Sequence, residues 1–318
     1  MTSTPGLSIV VPVYNSEQSL PLLVERLQPI LATLADQYEL ILVNDGSRDN
    51  SWAVVQDLAA THPWIRGINL MRNFGQHNAL LCGIRTVQYP IIVTMDDDLQ
   101  NPPEEIPRML AELERGYDVV YGTPQRMQHG LFRNLASQIT KLALQSAMGV
   151  DVATRVSAFR IFRTTLRNAF TDYRGIYISI DVLLTWATTR FSAVDVQFDI
   201  RRYGVSNYTL WKLIRHAVNM ITGFSILPLQ LASLTGFAFT LFGIAILIYV
   251  IGRLILEGGS VPGFPFLASI IAIFSGVQLA ALGIIGEYLA RIHVRAMDRP
   301  SYVVRETTPR SRIEEITT

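Results

Sequence analysis

Cysteine is nearly absent: the 318-residue chain has one, Cys82. A single cysteine cannot form an intramolecular disulfide, which suits a reducing compartment. Net charge is also scarce, at +1. That removes the electrostatic reason to expect a nucleic-acid partner. The start, Met1-Thr-Ser-Thr-Pro-Gly6, lacks a basic segment and a long apolar run, so no signal peptide is expected. Charge is missing from two long stretches near the other end. Leu229–Gly252 has none before Arg253, and Phe264–Tyr288 has none before Glu287.

Each of these stretches is long enough to cross a hydrocarbon core of about 30 Å, which takes about 20 residues. A Gly/Pro-rich segment, Glu257 to Pro265, separates them, so they read as a transmembrane hairpin at about 229–252 and 264–288. Arg201, Arg202, Lys212 and Arg215 precede the pair; Arg291, Arg295 and Arg299 follow it. The positive-inside rule then places both ends in the cytosol. Before the pair, residues 206–227 carry Leu210, Leu213, Ala217, Ile221 and Phe224 at helical spacing. Lys212, Arg215, His216 and Asn219 fall on the opposite face, the pattern of an amphipathic helix lying on a membrane surface. Residues 291–318 read as a cytosolic tail, polar and mobile after Val304.

From residue 7 to about 125, short apolar runs alternate with helical patterns. Strands are expected at Leu7–Val13, Tyr38–Val43, Gly67–Leu70, Tyr89–Met95 and Asp118–Tyr121. Helices are expected at Ser16–Ala35, Asn50–Thr61, Gln76–Val87 and Glu104–Arg115. This alternation predicts an α/β fold, a mostly parallel sheet covered on both faces. Ligands of such sheets bind beyond the strand C-termini. Four polar clusters follow the strands: Tyr14-Asn15, Asn44-Asp45-Gly46-Ser47, Arg72-Asn73-Phe74-Gly75 and Asp96-Asp97-Asp98. All four should converge on one crevice. From there to residue 205 the pattern is mixed, with strands at Ser157–Phe162 and Ala193–Ile200 and helices near Phe132–Met148 and Ser179–Thr188.

The acidic triad is the strongest chemical signal. Three adjacent carboxylates repel one another unless a positive partner neutralises them, and Mg²⁺ or Mn²⁺ takes one or two carboxylates together with substrate phosphates. The competing reading is an acidic helix start, since Asn101-Pro102-Pro103-Glu104-Glu105 follows. Around the triad, the Tyr14 ring can meet a flat base, Asp45 can accept from a base or ribose, and Arg72 can meet a base or phosphate.

These segments resemble a known family. Ile9-Val-Val-Pro-Val-Tyr-Asn15, Val43-Asn-Asp-Gly-Ser47, Arg72-Asn-Phe-Gly75 and Met95-Asp-Asp-Asp-Leu-Gln100 are similar to the motif series of family 2 inverting glycosyltransferases of GT-A fold. The two spans, with Arg202-Tyr-Gly-Val-Ser-Asn-Tyr208, narrow the resemblance to polyprenyl-phosphate sugar transferases such as bactoprenol glucosyltransferases and dolichyl-phosphate mannose synthases. The resemblance implies a cytosolic GT-A domain over residues 1–205 and a membrane-embedded hairpin over 228–290. It implies transfer of a hexose, expected to be glucose from UDP-glucose, to undecaprenyl or another polyprenyl phosphate with inversion. Mannose, galactose or an aminoarabinose derivative are the alternatives. By motif, Pro12, Tyr14 and Asp45 match nucleotide contacts, joined by Asn15, Arg72, Asp96 and Asp97. Asp96 and Asp98 match the ends of an Asp-x-Asp metal motif, and Gln100 lies near the donor sugar. Arg126, Arg133, Arg202 and Ser206 match acceptor-phosphate positions. Catalysis would then rest on Asp96, Asp98, Gln100, Arg126, Arg133 and Arg202. Three positions depart from the family pattern: Gln76, Ala158 and Asn207.

The expected partners are a nucleotide sugar, a polyprenyl phosphate and the membrane, without nucleic acid. Small residues along Gly236–Gly243 and Gly276–Gly286 allow homo-oligomers. Two rivals use the same parts: a membrane-attached nucleotidyltransferase, and a membrane scaffold that binds nucleotide without turnover. No Gln-x-x-Arg-Trp segment occurs, which argues against a processive polysaccharide synthase.

Overall fold

The computed structural model describes residues 5–124, 155–175, 178–199, 227–257 and 264–309. The chain divides into two compact units, residues 1–213 with 299–318, and residues 214–298.

The first unit begins with three strand-helix repeats. They are β1 (Leu7–Val13), α1 (Leu20–Leu34), β2 (Tyr38–Asn44), α2 (Ser51–Thr61), β3 (Ile65–Leu70) and α3 (Gln76–Thr86). Then come β4 (Ile91–Thr94), a 3-10 turn at Pro103–Glu105, α4 (Ile106–Glu114) and β5 (Val119–Pro124). After residue 154 follow β6 (Arg160–Arg163), a 3-10 segment (Thr164–Phe170), α5 (Ile180–Thr185) and β7 (Phe191–Val196). The last strand, β8 (Val304–Thr307), comes from beyond the apolar helices.

Among the described residues these strands form one sheet in the order β7-β5-β6-β4-β1-β2-β3-β8. The centre is parallel: β1 pairs with β2 (Ile9↔Leu40) and with β4 (Val10↔Thr94), and β2 pairs with β3. Every residue of β1 is buried, which is why it reads as an unbroken apolar run. Helix α1 buries Leu20, Leu23, Val24, Leu27 and Leu31, a three-and-four spacing that lays one stripe on the sheet. The core on that face also takes Ile106, Met109, Leu110 and Leu113 of α4. The opposite face is covered by α3, through Leu80, Leu81 and Ile84, and by Ile180, Leu183 and Leu184 of α5. The chain runs outward from β1 to β2 and β3, then returns to β4 on the other side of β1. That reversal opens a crevice between the C-terminal ends of β1 and β4.

Two strands depart from the parallel expectation. β6 runs antiparallel between β4 and β5, and β8 runs antiparallel on β3. The second is a correction, because the polar sequence after Val304 reads as a mobile tail. In the structure Val304–Thr307 is a strand, with Ser301 and Thr308 buried beside it. An edge strand needs no apolar face when its backbone supplies the pairing, so composition alone hides it. The strands expected at Ser157–Phe162 and Ala193–Ile200 are centred on Arg160–Arg163 and Phe191–Val196.

The second unit contains α6 (Leu227–Glu257) and α7 (Phe264–Ala296), both longer than the apolar stretches that predict them. Within them, Pro228–Gly252 and Ile273–Ala296 are long and apolar enough to cross a membrane, and their side chains are not buried. The two helices touch at Phe239 and Phe274, whose rings meet edge-on at 5.7 Å. The expected amphipathic helix at 206–226 and the expected helix near Phe132–Met148 lie outside the described residues.

Candidate active site

A cavity of about 330 Å³ opens at the crevice. Pro12, Val13 and Tyr14 line it from the end of β1, and Asp45 from the end of β2. Asn73, Gly75 and Gln76 line it before and at the start of α3, and Asp96, Asp97 and Asp98 after β4. The convergence follows from the parallel register of β1, β2 and β4, which brings their C-terminal ends to one side.

The three aspartates have different surroundings. Asp97 accepts the Tyr14 N–H at 3.1 Å on Oδ2, and the Ser16 hydroxyl donates to the same oxygen. Since Val10 faces Thr94 in the sheet, Asp97 lies beside the chain that leaves β1 and ties the two strand ends together. Burial pushes its pKa up to about 6, against the Ser16 and Tyr14 bonds, and the neighbouring charge of Asp98 pushes the same way. Asp96 accepts the Gln76 side-chain amide at 2.5 Å. Asp98 accepts the Gln100 N–H at 3.1 Å within its own turn. Leu99, between them, has φ 61° and a buried side chain. A left-handed leucine is uncommon, and such conformations gather at functional sites.

Asp45 is buried, and its two carboxylate oxygens accept the N–H groups of Phe74 (2.6 Å) and Gly75 (2.8 Å). Burial raises its pKa, against those two bonds and the charge of Arg72. Gly46 has φ +64°, and a Cβ there would lie 2.5 Å from the Asn73 nitrogen. Its lack of a side chain therefore admits the chain's own loop.

Of the expected site residues, Pro12, Tyr14, Asp45, Asp96, Asp97 and Asp98 border the cavity. Asn15, Arg72 and Gln100 do not line it. The Asn15 side-chain oxygen accepts the Arg48 N–H at 2.8 Å. The Arg72 guanidinium sits 4.3 Å from the centre of the Phe74 ring, a cation–π contact. The Gln100 carbonyl accepts the Asp199 N–H at 3.0 Å. Arg126, Arg133, Arg202 and Ser206 lie outside the described residues. Ser16 and Gln76 are partners that sequence reasoning missed. Gln76 is visible beforehand only as a departure from the family pattern. His77 Nδ1 accepts the Ile180 N–H at 3.3 Å, at the start of α5.

Four carboxylates thus border one cavity, and no Lys or Arg is among its described lining. Asp45 and Asp97 each take two hydrogen bonds from the protein. Asp96 and Asp98 flank Asp97, and their hard oxygen donors fit Mg²⁺ or Mn²⁺ completed by phosphate oxygens and water. No group of three or more His, Cys, Asp or Glu arranged to hold an ion occurs among the described residues.

The comparisons agree with this architecture. Residues 8–173 match the family described as glycosyl transferase family 2. The undecaprenyl-phosphate 4-deoxy-4-formamido-L-arabinose transferase of Yersinia enterocolitica is 37% identical over 305 residues, covering 94% of this chain and 93% of its own. The protein of the same name from Photorhabdus laumondii is 36% identical over 304 residues, with 94% and 93% covered. Among solved structures, the glucosyl-3-phosphoglycerate synthase of Mycobacterium tuberculosis, with Mn²⁺, UDP-glucose and phosphoglyceric acid, superposes with a TM-score of 0.52 at 19% identity. That match covers 69% of this chain and 79% of the other, and it carries the GT-A-like fold alone. The chain belongs to glycosyl transferase family 2.

Proposed function

We propose that this family 2 glycosyl transferase moves a 4-amino-4-deoxy-arabinose derivative from a nucleotide sugar to undecaprenyl or a related polyprenyl phosphate, with inversion. The observation that carries the reading is the end-to-end likeness to the Yersinia enterocolitica transferase, which includes both apolar helices. Glucose, the first expectation from sequence, gives way to the aminoarabinose alternative on the same ground.

The chemistry needs little from the protein beyond placement. A lipid phosphate monoester has its second pKa near 6, so at neutral pH it is already mostly a dianion. It therefore needs no general base, unlike a sugar hydroxyl. A phosphate oxygen attacks the anomeric carbon as the bond to the nucleoside diphosphate breaks. The departing diphosphate keeps the electron pair, and in-line attack inverts the carbon. Asp96 and Asp98 would hold a divalent cation, whose charge offsets that of the diphosphate when bound. Asp97, bonded to Tyr14 and Ser16, keeps the β1 and β4 ends together so that Pro12 and Tyr14 face the nucleotide. Gln100 stays assigned beside the donor sugar by motif. Arg126, Arg133, Arg202 and Ser206 are proposed for the acceptor phosphate, where bidentate arginines suit an anion.

The protein is proposed to span the cytoplasmic membrane twice, with the sheet and both termini in the cytosol. Two observations support this. Arg291, Arg295 and Arg299 follow the charge-free stretch of the second helix, in its last turns and just beyond its end. β8, after α7, joins the same sheet as β1 to β7. One sheet cannot be divided by a bilayer, so the crossings between β7 and β8 must be even in number.

The test is product analysis. Purified protein is incubated with undecaprenyl phosphate and a panel of UDP- and GDP-sugars that includes UDP-4-deoxy-4-formamido-L-arabinose. Labelled lipid with release of nucleoside diphosphate is expected. Pyrophosphate release would favour a nucleotidyltransferase, and no turnover with any donor would favour a scaffold. Excess chelator should stop the reaction.

A further inference from the structure

We infer that Glu306, on the strand that follows the two apolar helices, is a positioning residue for the donor site. The inference rests on the nucleotide-binding reading above. A single file of side chains carries it. The Asn15 N–H donates to Ser47 Oγ at 3.0 Å, and the Ser47 hydroxyl donates to Asn44 Oδ1 at 2.5 Å. Asn44 Nδ2 donates to Asn69 Oδ1 at 2.8 Å, and Asn69 Nδ2 donates to Glu306 Oε1 at 2.9 Å. Every bond in the file donates toward Glu306.

That common direction has a physical cause. A side-chain amide has one accepting end and one donating end, so an unconstrained Asn can sit either way round. An ionised carboxylate only accepts. Glu306 therefore fixes the Asn69 amide with its nitrogen outward and its oxygen inward. Asn69 in turn fixes Asn44 with its oxygen toward Ser47. Asn44 and Asn69 are both buried, so a reversed amide would leave polar atoms unpaired.

The far end of the file belongs to the cavity wall. Asn15 follows Tyr14, and Ser47 lies two residues after Asp45; Tyr14 and Asp45 both line the cavity. Asn15 has φ 55° and is gripped by its N–H on Ser47 and its side-chain oxygen on Arg48. The file thus sets the spacing of the loops after β1 and β2. The segment around β8 also holds the third loop: the Met71 N–H donates to the Val303 carbonyl, and Arg305 donates to the Met71 carbonyl, one residue before Arg72.

Three full-length variants, solubilised in detergent, test the inference by calorimetry with UDP and Mg²⁺ and by melting temperature. Glu306→Lys presents donors only and should reverse the amides, weakening UDP binding about three- to tenfold, the loss of about one hydrogen bond. Glu306→Ala should fall between Glu306→Lys and wild type. Glu306→Gln keeps an acceptor oxygen and should bind as wild type does. The apparent KM for lipid phosphate should stay nearly constant across the series, and the Tm should fall in the same order as the affinity, least for Glu306→Gln. UDP binding by Glu306→Lys at wild-type strength would overturn the inference and leave the proposed function standing. So would a Tm loss shared by all three variants without the graded change in affinity. Failure of the wild-type chain to bind UDP, GDP or CDP would overturn the donor-site reading, and this inference with it.

Discussion

The two units use the same apolar residue types in opposite ways. In the sheet unit Ile9, Leu40 and Leu42 are fully buried; in the helix pair Leu234, Leu247 and Ile248 are 64%, 57% and 67% exposed. The first unit closes its own core on both faces of a sheet. The second is apolar on every side and leaves those side chains uncovered, which is what its proposed place in the hydrocarbon of a bilayer requires. Polar groups divide the same way. The sheet unit buries Arg160 on Asp181, with the Tyr121 hydroxyl donating to the same carboxylate oxygen. In α6 the Thr240 hydroxyl is returned to its own helix, on the Gly236 carbonyl at 2.9 Å. The difference teaches that the proposed chemistry and the proposed membrane residence are carried by separate stretches of sequence.

The sharpest way to break that separation is Asp98→Ala. Turnover should fall at least about a hundredfold, as when a stabilising charge is removed from a transition state. The protein should still fractionate with membranes and keep its melting temperature. Loss from the membrane fraction would show that the units are not independent.

Next in size is the buried pair. Asp181→Ala leaves the Arg160 guanidinium buried without its carboxylate, which should cost about 3–5 kcal/mol of stability. Burial already raises the Tyr121 pKa far above its usual range. In the intact protein the hydroxyl therefore stays protonated and serves as a donor to Asp181. A lysine at Leu247 breaks the other unit instead, since a charge at a membrane-helix centre costs about 2.5–3.5 kcal/mol of insertion free energy. Asp181→Ala should appear in urea or thermal unfolding, and Leu247→Lys in the fraction of chains inserted. The comparison fails if each variant registers in the other assay.

A matched pair of leucines carries the same contrast. Leu42→Ala opens a cavity in a closed core and should cost about 2–5 kcal/mol. Leu247→Ala removes the same atoms from an exposed helix face and should cost well under 1 kcal/mol, because a side chain 57% exposed leaves no closed void when it is shortened. Equal losses in detergent-solubilised protein would mean that Leu247 is covered, for instance by a second copy of the chain.

What was legible beforehand divides along the same line. Strong periodic patterns mark the strands β1, β2 and β4 and the helices beside them, and long charge-free runs mark the two apolar helices. The strand-end rule placed Tyr14, Asp45 and Asp96–Asp98 at one crevice. The roles inside the crevice were not legible, because they depend on partners far away in sequence. Asp97 is tied down by Tyr14 and Ser16, and Asp45 by the Phe74 and Gly75 amides. No local spacing encodes those bonds. Strand β8 was hidden for the same reason: its partner lies more than two hundred residues earlier, and an exposed edge strand leaves no alternation to read. In motifs of this type a residue can be recognised as part of a site before it is known whether it touches ligand or holds the loop that does.

The last contrast is between two glycines, one in each unit, whose replacements should differ in kind. At Gly46 the backbone is left-handed, which costs other residues about 1–2 kcal/mol. A Cβ there would press on backbone atoms of Arg72 and Asn73. Neither can yield without moving the loop that holds Asp45. Gly46→Ala should therefore lower stability by more than the conformational cost alone and weaken nucleotide binding as well. At Gly243 the backbone is helical, where alanine is better than glycine by about 1 kcal/mol. The added Cβ would lie 3.2 Å from Phe274 Cζ, a tight contact with the far end of a ring. A ring at a helix crossing can shift by a few tenths of an ångström, so the gain in propensity and the crowding nearly cancel. Gly243→Ala should change the melting temperature of the purified protein little and leave nucleotide affinity untouched. A large loss at Gly243 would mean that the Phe239–Phe274 crossing is as closely packed as the sheet core, and the distinction between a unit that closes on itself and one that awaits lipid would have to be redrawn there.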